Sequence, residues 1–229
     1  MKERNLKKMQ ATYEKVELGK GIYTISDVAY VLKMKKSKVR YWINSYLREK
    51  LPEITSHRYN MNPEHGIFIN FSSLLELYIF EQLELKGHSR KKILECYEAI
   101  SINYDTKYPF TKRKIVSAGG SILFEHKGKL INADKTLQLN MSEVLAQYLE
   151  KIEFNIEGKA IKFFPQGKQS SIVLDPEIQF GTPIVNGTRI NVSTVVDSYN
   201  SGDSIQLISL VYGITSQQVE DAIEFEKAA

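Results

Sequence analysis

One cysteine, Cys96, occurs in 229 residues. That excludes an internal disulfide framework and agrees with a reducing compartment. Histidine is scarce, at four, and no His/Cys cluster with metal-ligand spacing can be assembled. No apolar run approaches the roughly 18–20 residues needed to cross a bilayer. The opening MKERNLKKMQ has charges but no apolar stretch behind them, so it does not read as a secretory signal. Paired carboxylates, a nucleophile–base constellation and a nucleotide loop are also missing. These absences give the expectation of a cytoplasmic protein with no membrane partner, no enzymatic activity, no metal and no cofactor.

Cations are lacking from one end. Residues 170–229 hold 2 Lys+Arg against 8 Asp+Glu, a net of −6. Residues 1–50 hold 13 against 5, a net of +8, and residues 51–169 hold 16 against 14. A basic end can meet phosphate, whereas an acidic end repels it and suits a protein partner.

The basic end carries a motif, YTISDVAYVLKMKKSKVRYWINSYL. Thr24 followed three residues later by Asp27 is a capping-box-like helix start. Val28, Ala29, Val31 and Leu32 form an apolar stripe, which KMKK interrupts. A second helix is expected from about Ser37 to Leu47, with Val39, Trp42, Ile43 and Tyr46 at helical spacing. Two short helices joined by about four residues make a helix-turn-helix. Its second helix exposes Lys38, Arg40 and Tyr41, with Lys35, Lys36 and Ser37 at its start. Such a helix fits the DNA major groove while flanking lysines meet phosphates, so these six residues are the expected DNA-binding set. In LPEITSHRYNMNPEHGIFIN, Pro52, Pro63 and Gly66 punctuate short strands, and His57 and Arg58 would sit on a wing. FSSLLELYIFEQLELKG then reads as an amphipathic helix closed by Gly87. Ser89 caps another, in which Ile93, Cys96, Tyr97 and Ile100 share a face and Cys96 is a small core residue.

On those residues, 23–101 resemble the winged helix-turn-helix of MerR-type transcription regulators. The match lies in the opening Tyr23-Thr24-Ile25, the Ser37-to-Trp42 run and the Gly87-His88-Ser89 link. Lys33 replaces the family's turn glycine, and strand-like sequence stands where the family's dimerising coiled coil would follow.

The middle region, about 104–168, reads as a small α+β unit of dimerisation or ligand type. KRKIVSA, SILFEHKGKLIN and KAIKFFP alternate as strands, and HKGK at 126–129, with His126 at the surface, reads as a turn. Lys112, Arg113 and Lys114 add charge that faces either DNA or solvent. A helix begins at Asn140 or Ser142 and places Val144, Leu145, Tyr148, Leu149 and Ile152 on one face.

GTPIVNGTRINV, residues 181–192, is glycine-rich but has neither phosphate-loop nor dinucleotide spacing. Asn186-Gly187 reads as a two-residue hairpin turn of type I′. Arg189 stands alone between Lys168 and Lys227 and is expected to pair with Asp175, Glu177 or another acid. Three helices follow, about 193–200, 204–212 and 216–227, with Ser193, Asp203 and Thr215 as N-caps and Gly202 and Gly213 as stops. Their order is again helix-turn-helix-like, but the charge suits packing or a protein partner.

Residues 172–227 closely resemble a small bacterial family of domains without an assigned function. The resemblance rests on Ile172, Asp175-Pro176, Ile178, Gly181, Pro183-Ile184, Gly187 through Ile190, Val192, Gly202, Ser204, Ile208, Tyr212, Thr215, Gln218-Val219 and Ala222-Ile223. With a helix-turn-helix in front, the chain resembles VapB-type antitoxins. The resemblance implies an antitoxin and autorepressor that binds operator DNA and neutralises a PIN-like ribonuclease toxin, with Arg189 as a candidate toxin contact. A homodimer is expected from the two-fold symmetry of operators. The alternative is a one-component transcription regulator sensing a small molecule through the middle region. The expected architecture is α+β, with a winged helix-turn-helix at 1–103, a small α+β region at 104–169, and a β-hairpin plus three helices at 170–229.

Overall fold

The computed structural model describes residues 20–44, 59–62, 66–113 and 135–228. His57, Arg58, Tyr46, Lys114, His126 and the turn at 126–129 lie outside the described residues. The chain is α+β.

Thr24 is extended at φ −74°, ψ 169°, and its hydroxyl accepts from the Asp27 N–H. The Asp27 carboxylate accepts the Thr24 N–H at 2.7 Å. This reciprocal cap starts α1, Ile25–Leu32, which buries Val28, Ala29 and Val31. The helix ends at Lys33, left-handed at φ 55°, ψ 39°, a conformation that disfavours side chains. After this turn comes α2, Lys36–Tyr41. Val39, Trp42 and Ile43 are buried at or just beyond its end.

Three short strands, β1 (Tyr23–Thr24), β2 (Tyr59–Asn62) and β3 (Gly66–Ile69), form an antiparallel sheet with β3 in the middle. Tyr23 and Tyr59 both stand opposite Ile69. Next is α3, Phe71–Leu85, whose cap Asn70 accepts from the Ser73 N–H.

The amphipathic reading of α3 is corrected by its surroundings. It is buried on every side, including Ser73, Glu76 and Glu81. Phe80 meets Trp42 beyond α2 at 5.2 Å between ring centroids. On another side it meets Tyr97 of α4, Arg90–Asn103, at 5.1 Å. Tyr78 meets Tyr148 of α5, Lys135–Glu150, at 5.7 Å. Elements packed on all sides leave no solvent face except at the C-terminal end, where Leu85 is 69% exposed. On α4, Ile93, Cys96, Tyr97 and Ile100 are buried, as their spacing predicts.

The α5 helix begins ahead of Asn140 and stops at Glu150. Ile152 opens β4, Ile152–Phe154, rather than extending the helical face. With β5 (Ala160–Phe163), β6 (Ile172–Leu174) and β7 (Pro183–Val185), it makes a four-stranded antiparallel sheet in sequence order. Phe163 pairs with Leu174, so the sheet joins residues on both sides of position 169. Phe163 also packs on Tyr78 of α3 at 5.1 Å.

Three helices close the chain: α6 (Val192–Asn200), α7 (Ile205–Tyr212) and α8 (Ser216–Lys227). They share a second core with β6 and β7, built on Ile172, Val185, Val192, Val195, Ile208, Val219 and Phe225. Thr215 caps α8, as predicted, and Gln218 reciprocates to complete the cap. The other two caps move by one or two residues. Ser204, not Asp203, accepts from the Leu207 N–H. The chain enters α6 from an extended Asn191, so Ser193 lies inside the helix.

The turn at Asn186-Gly187 also differs from expectation. The Thr188 N–H reaches the Val185 carbonyl at 3.1 Å. Gly187 has φ 80°, but Asn186 is not at positive φ. Positive φ at the second central residue alone is the type II pattern rather than type I′.

Candidate nucleic-acid interface

Among the expected DNA-binding residues, Lys35, Lys36, Ser37 and Arg40 are exposed on the outward side of α2. Tyr41 beside them is 41% exposed. Val39, Trp42 and Ile43 hold the inner side of this segment in the core. This places a row of cations and a hydroxyl on a helix whose backbone is fixed from beneath.

Lys38 is not free on that face. Its Nζ lies 2.6 Å from Glu81 Oε2 and 3.0 Å from Glu84 Oε2, both on α3. Arg90, at the start of α4, donates to Glu84 Oε1 at 2.7 Å. Its guanidinium stacks 4.6 Å from the Tyr41 ring and 5.6 Å from the Trp42 ring. Burial pushes the Glu84 carboxyl pKa up, but bonds from Lys38 and Arg90 outweigh it and hold the group below the ordinary carboxylate range. Burial lowers the Lys38 ammonium in turn, and Glu81 and Glu84 more than reverse that. The expected exposure of Lys38 is therefore replaced by a tether that sets α2 on α3.

The turn before α2 is gripped from the far end of the chain. Lys33 Nζ donates to the Phe225 carbonyl at 2.9 Å. The same ammonium lies 4.0 Å from the centroid of the Phe225 ring and 4.7 Å from that of Tyr30. Tyr30 donates to Glu226 Oε2 at 2.5 Å and meets Phe225 edge to face at 5.4 Å. The last turns of α8 thus hold the α1–α2 corner.

A second clasp lies at β1. The Ile22 N–H donates to the Phe180 carbonyl at 2.9 Å. The buried Tyr23 hydroxyl donates to the Gly181 carbonyl at 2.9 Å. Gly181 sits at φ +85°, and a Cβ there would lie 2.1 Å from the Tyr23 hydroxyl oxygen. Only glycine satisfies both demands.

Arg189 does not make the ion pair expected of it. Its side chain is exposed and has no ion pair among the described residues. Asp175 instead accepts the Glu177 N–H at 2.9 Å in a local turn. Arg189 borders an open cleft of about 290 Å³ that also includes Lys162, Asp175, Asn186 and Thr188. Another cleft, of about 430 Å³, lies by Arg113, Leu149, Ile152, Phe154 and Lys168. Lys112 and Arg113 are exposed.

Sequence reasoning missed the α8 clasp, for which no local signal exists. It also missed that α7 leaves apolar side chains in solvent, although IQLISLVY contains no charge to cover them. No helix among the described residues is long and apolar enough to cross a membrane.

Comparison with known proteins divides along the same lines. Residues 172–225 match DUF433, a family described as proteins of unknown function. The chain is 30% identical over 88 residues to the protein named "Putative antitoxin VapB45" from Mycobacterium tuberculosis. That match spans 38% of this chain and 37% of the relative. The crystal structure of Rv2018 from Mycobacterium tuberculosis superposes with a TM-score of 0.72 at 18% identity, covering 91% of this chain and 99% of that one. The fold is therefore shared with Rv2018 over almost the whole of that chain, and the DUF433 match occupies the acidic end.

Proposed function

We propose that this chain is the antitoxin of a type II toxin–antitoxin pair, a cytoplasmic homodimer that represses its own operon and neutralises a PIN-like ribonuclease. The observation that carries the reading is the similarity to a protein named as an antitoxin. What this chain adds is the division of charge and surface. In the proposed winged helix-turn-helix unit, 1–103, Lys35, Lys36 and Arg40 face outward from α2. Lysines near phosphate supply salt-dependent affinity, while Arg40 is placed to read a base edge. His57 and Arg58, outside the described residues, are further DNA contacts in this reading. The unit at 170–229 has a net charge of −6, which disfavours DNA and suits a cationic protein. Arg189, without an ion pair among the described residues, is the toxin contact in this reading.

Co-expression with the product of the neighbouring gene, which this reading expects to be a PIN-like ribonuclease, tests the reading. A stable complex with loss of nuclease activity supports it, and full nuclease activity in the presence of excess antitoxin contradicts it. The cleft by Arg113 and Phe154 favours a second reading, a regulator that senses a small molecule through residues 104–169. A metabolite that raises the melting temperature of the full chain and releases it from DNA would support that reading.

A further inference from the structure

The α7 helix is the least covered element of the acidic unit. Only Ile208 among its residues is fully buried. Leu207 is 45% exposed, Leu210 81% and Val211 65%. Their spacing of three and four residues puts all three on one stripe. No charged residue interrupts α7. Elsewhere in the unit Val195, Val219, Ala222 and Phe225 are fully buried, while Phe180 is 57% and Tyr199 38% exposed. A contiguous apolar stripe on a unit with such a core marks a contact surface rather than a packing defect.

Charge selects the occupant. Exposed acids stand on the neighbouring elements: Asp197 on α6, Asp203 in the α6–α7 connection, and Glu220 and Glu224 on α8. The unit has only Arg189 and Lys227 to set against eight acids. A second copy meeting the stripe through its own α7 would set one acidic unit against another, which opposes association. Nucleic acid is disfavoured for the same reason. A protein with an apolar groove bordered by lysine or arginine meets both the stripe and the acids.

We infer that the Leu207–Leu210–Val211 face of α7 is the docking site for the toxin. This rests on the antitoxin reading above, because a nuclease that holds RNA must present a cationic surface next to its RNA groove. Leu210 is the central anchor. Its burial contributes the apolar part of the contact, and the surrounding acids contribute association rate and salt dependence.

The test uses the full-length chain and the neighbouring gene product that the antitoxin reading expects to be the ribonuclease, measured by calorimetry at two salt concentrations. Leu210→Glu and Leu207→Glu change exposed positions, so circular dichroism and operator binding should match wild type. The expected result is tight wild-type binding that weakens with salt, and at least about tenfold weaker binding for Leu210→Glu, the order of one desolvated leucine. Wild-type and variant binding of equal strength would overturn the docking site while leaving the antitoxin reading intact. No wild-type binding at all would overturn both. A sedimentation shift from dimer to monomer in Leu210→Glu would instead make a second copy the occupant and overturn the toxin assignment.

Discussion

Lys33 bears two opposed energies that substitution can separate. Its left-handed backbone, φ 55° and ψ 39°, costs an L-residue about 1–2 kcal/mol. Against that stand the hydrogen bond to the Phe225 carbonyl at 2.9 Å and two ring contacts at 4.0 and 4.7 Å. The side chain is largely exposed, so each ring contact contributes about 0.5–1 kcal/mol. The hydrogen bond to the charged ammonium contributes about 1.5 kcal/mol. Lys33→Ala retains the strain and loses the clasp, so it should destabilise by roughly 2.5–3.5 kcal/mol. Lys33→Gly loses the clasp but also releases about 1 kcal/mol of strain, so it should lie between alanine and wild type. Urea denaturation of the three proteins gives the order lysine, glycine, alanine. Alanine as stable as lysine would show that the clasp contributes nothing. Alanine as stable as glycine would refute the left-handed turn. Because this residue opens the turn into α2, operator affinity should fall in the same order.

Other substitutions test the remaining contacts. Gly181→Ala adds a Cβ 2.1 Å from the Tyr23 hydroxyl oxygen at φ +85°. It should destabilise by about 3 kcal/mol or more, read as a lowered melting temperature or as insoluble protein, and a wild-type melting temperature would refute the contact. Arg40→Ala should weaken operator binding by about 1–3 kcal/mol if the residue reads a base, with an unchanged melting temperature. Lys38→Ala should instead lower the melting temperature, because it strips Glu81 and Glu84 of a shared cation; thermal shift and anisotropy on both variants separate the two roles. Burial raises the Asp221 pKa, but hydrogen bonds from Gln217 and from Ser171 outweigh it and leave the group below the ordinary value. A depressed carboxyl stabilises the fold above its unfolded pKa, about 3.9, and loses that contribution as pH falls through the folded value. Asp221→Asn should therefore be less stable at pH 7, with the gap closing below about pH 4; a gap independent of pH would contradict this.

What was legible in the sequence was local. The caps Thr24–Asp27, Asn70–Ser73 and Thr215–Gln218 span three residues, and the first and last follow from residue type and spacing. The buried face of α4 follows from helical periodicity in the same way. Ile152 satisfies both a helical and an extended period, and its pairing with Phe163 decides for the strand. For α3, glutamates at 76 and 81 imply a solvent face. In fact Glu76 accepts the Phe110 N–H at 3.2 Å, and Glu81 is met by Lys38. Those partners come from distant elements. Nor could the fate of Arg189 be read from nearby acids in the sequence, since Asp175 turns its carboxylate back on the Glu177 N–H. The Lys33–Phe225 clasp joins residues 192 positions apart and leaves no pattern that a single chain reveals.

Fluorescence anisotropy of the full chain on its own upstream DNA, against a scrambled duplex at several salt concentrations, shows whether the basic end reads an operator. Tight, sequence-selective binding with a steep salt slope, weakened by Arg40→Ala at unchanged fold, is the expected result. Equally weak binding to both duplexes, indifferent to Arg40, would contradict it.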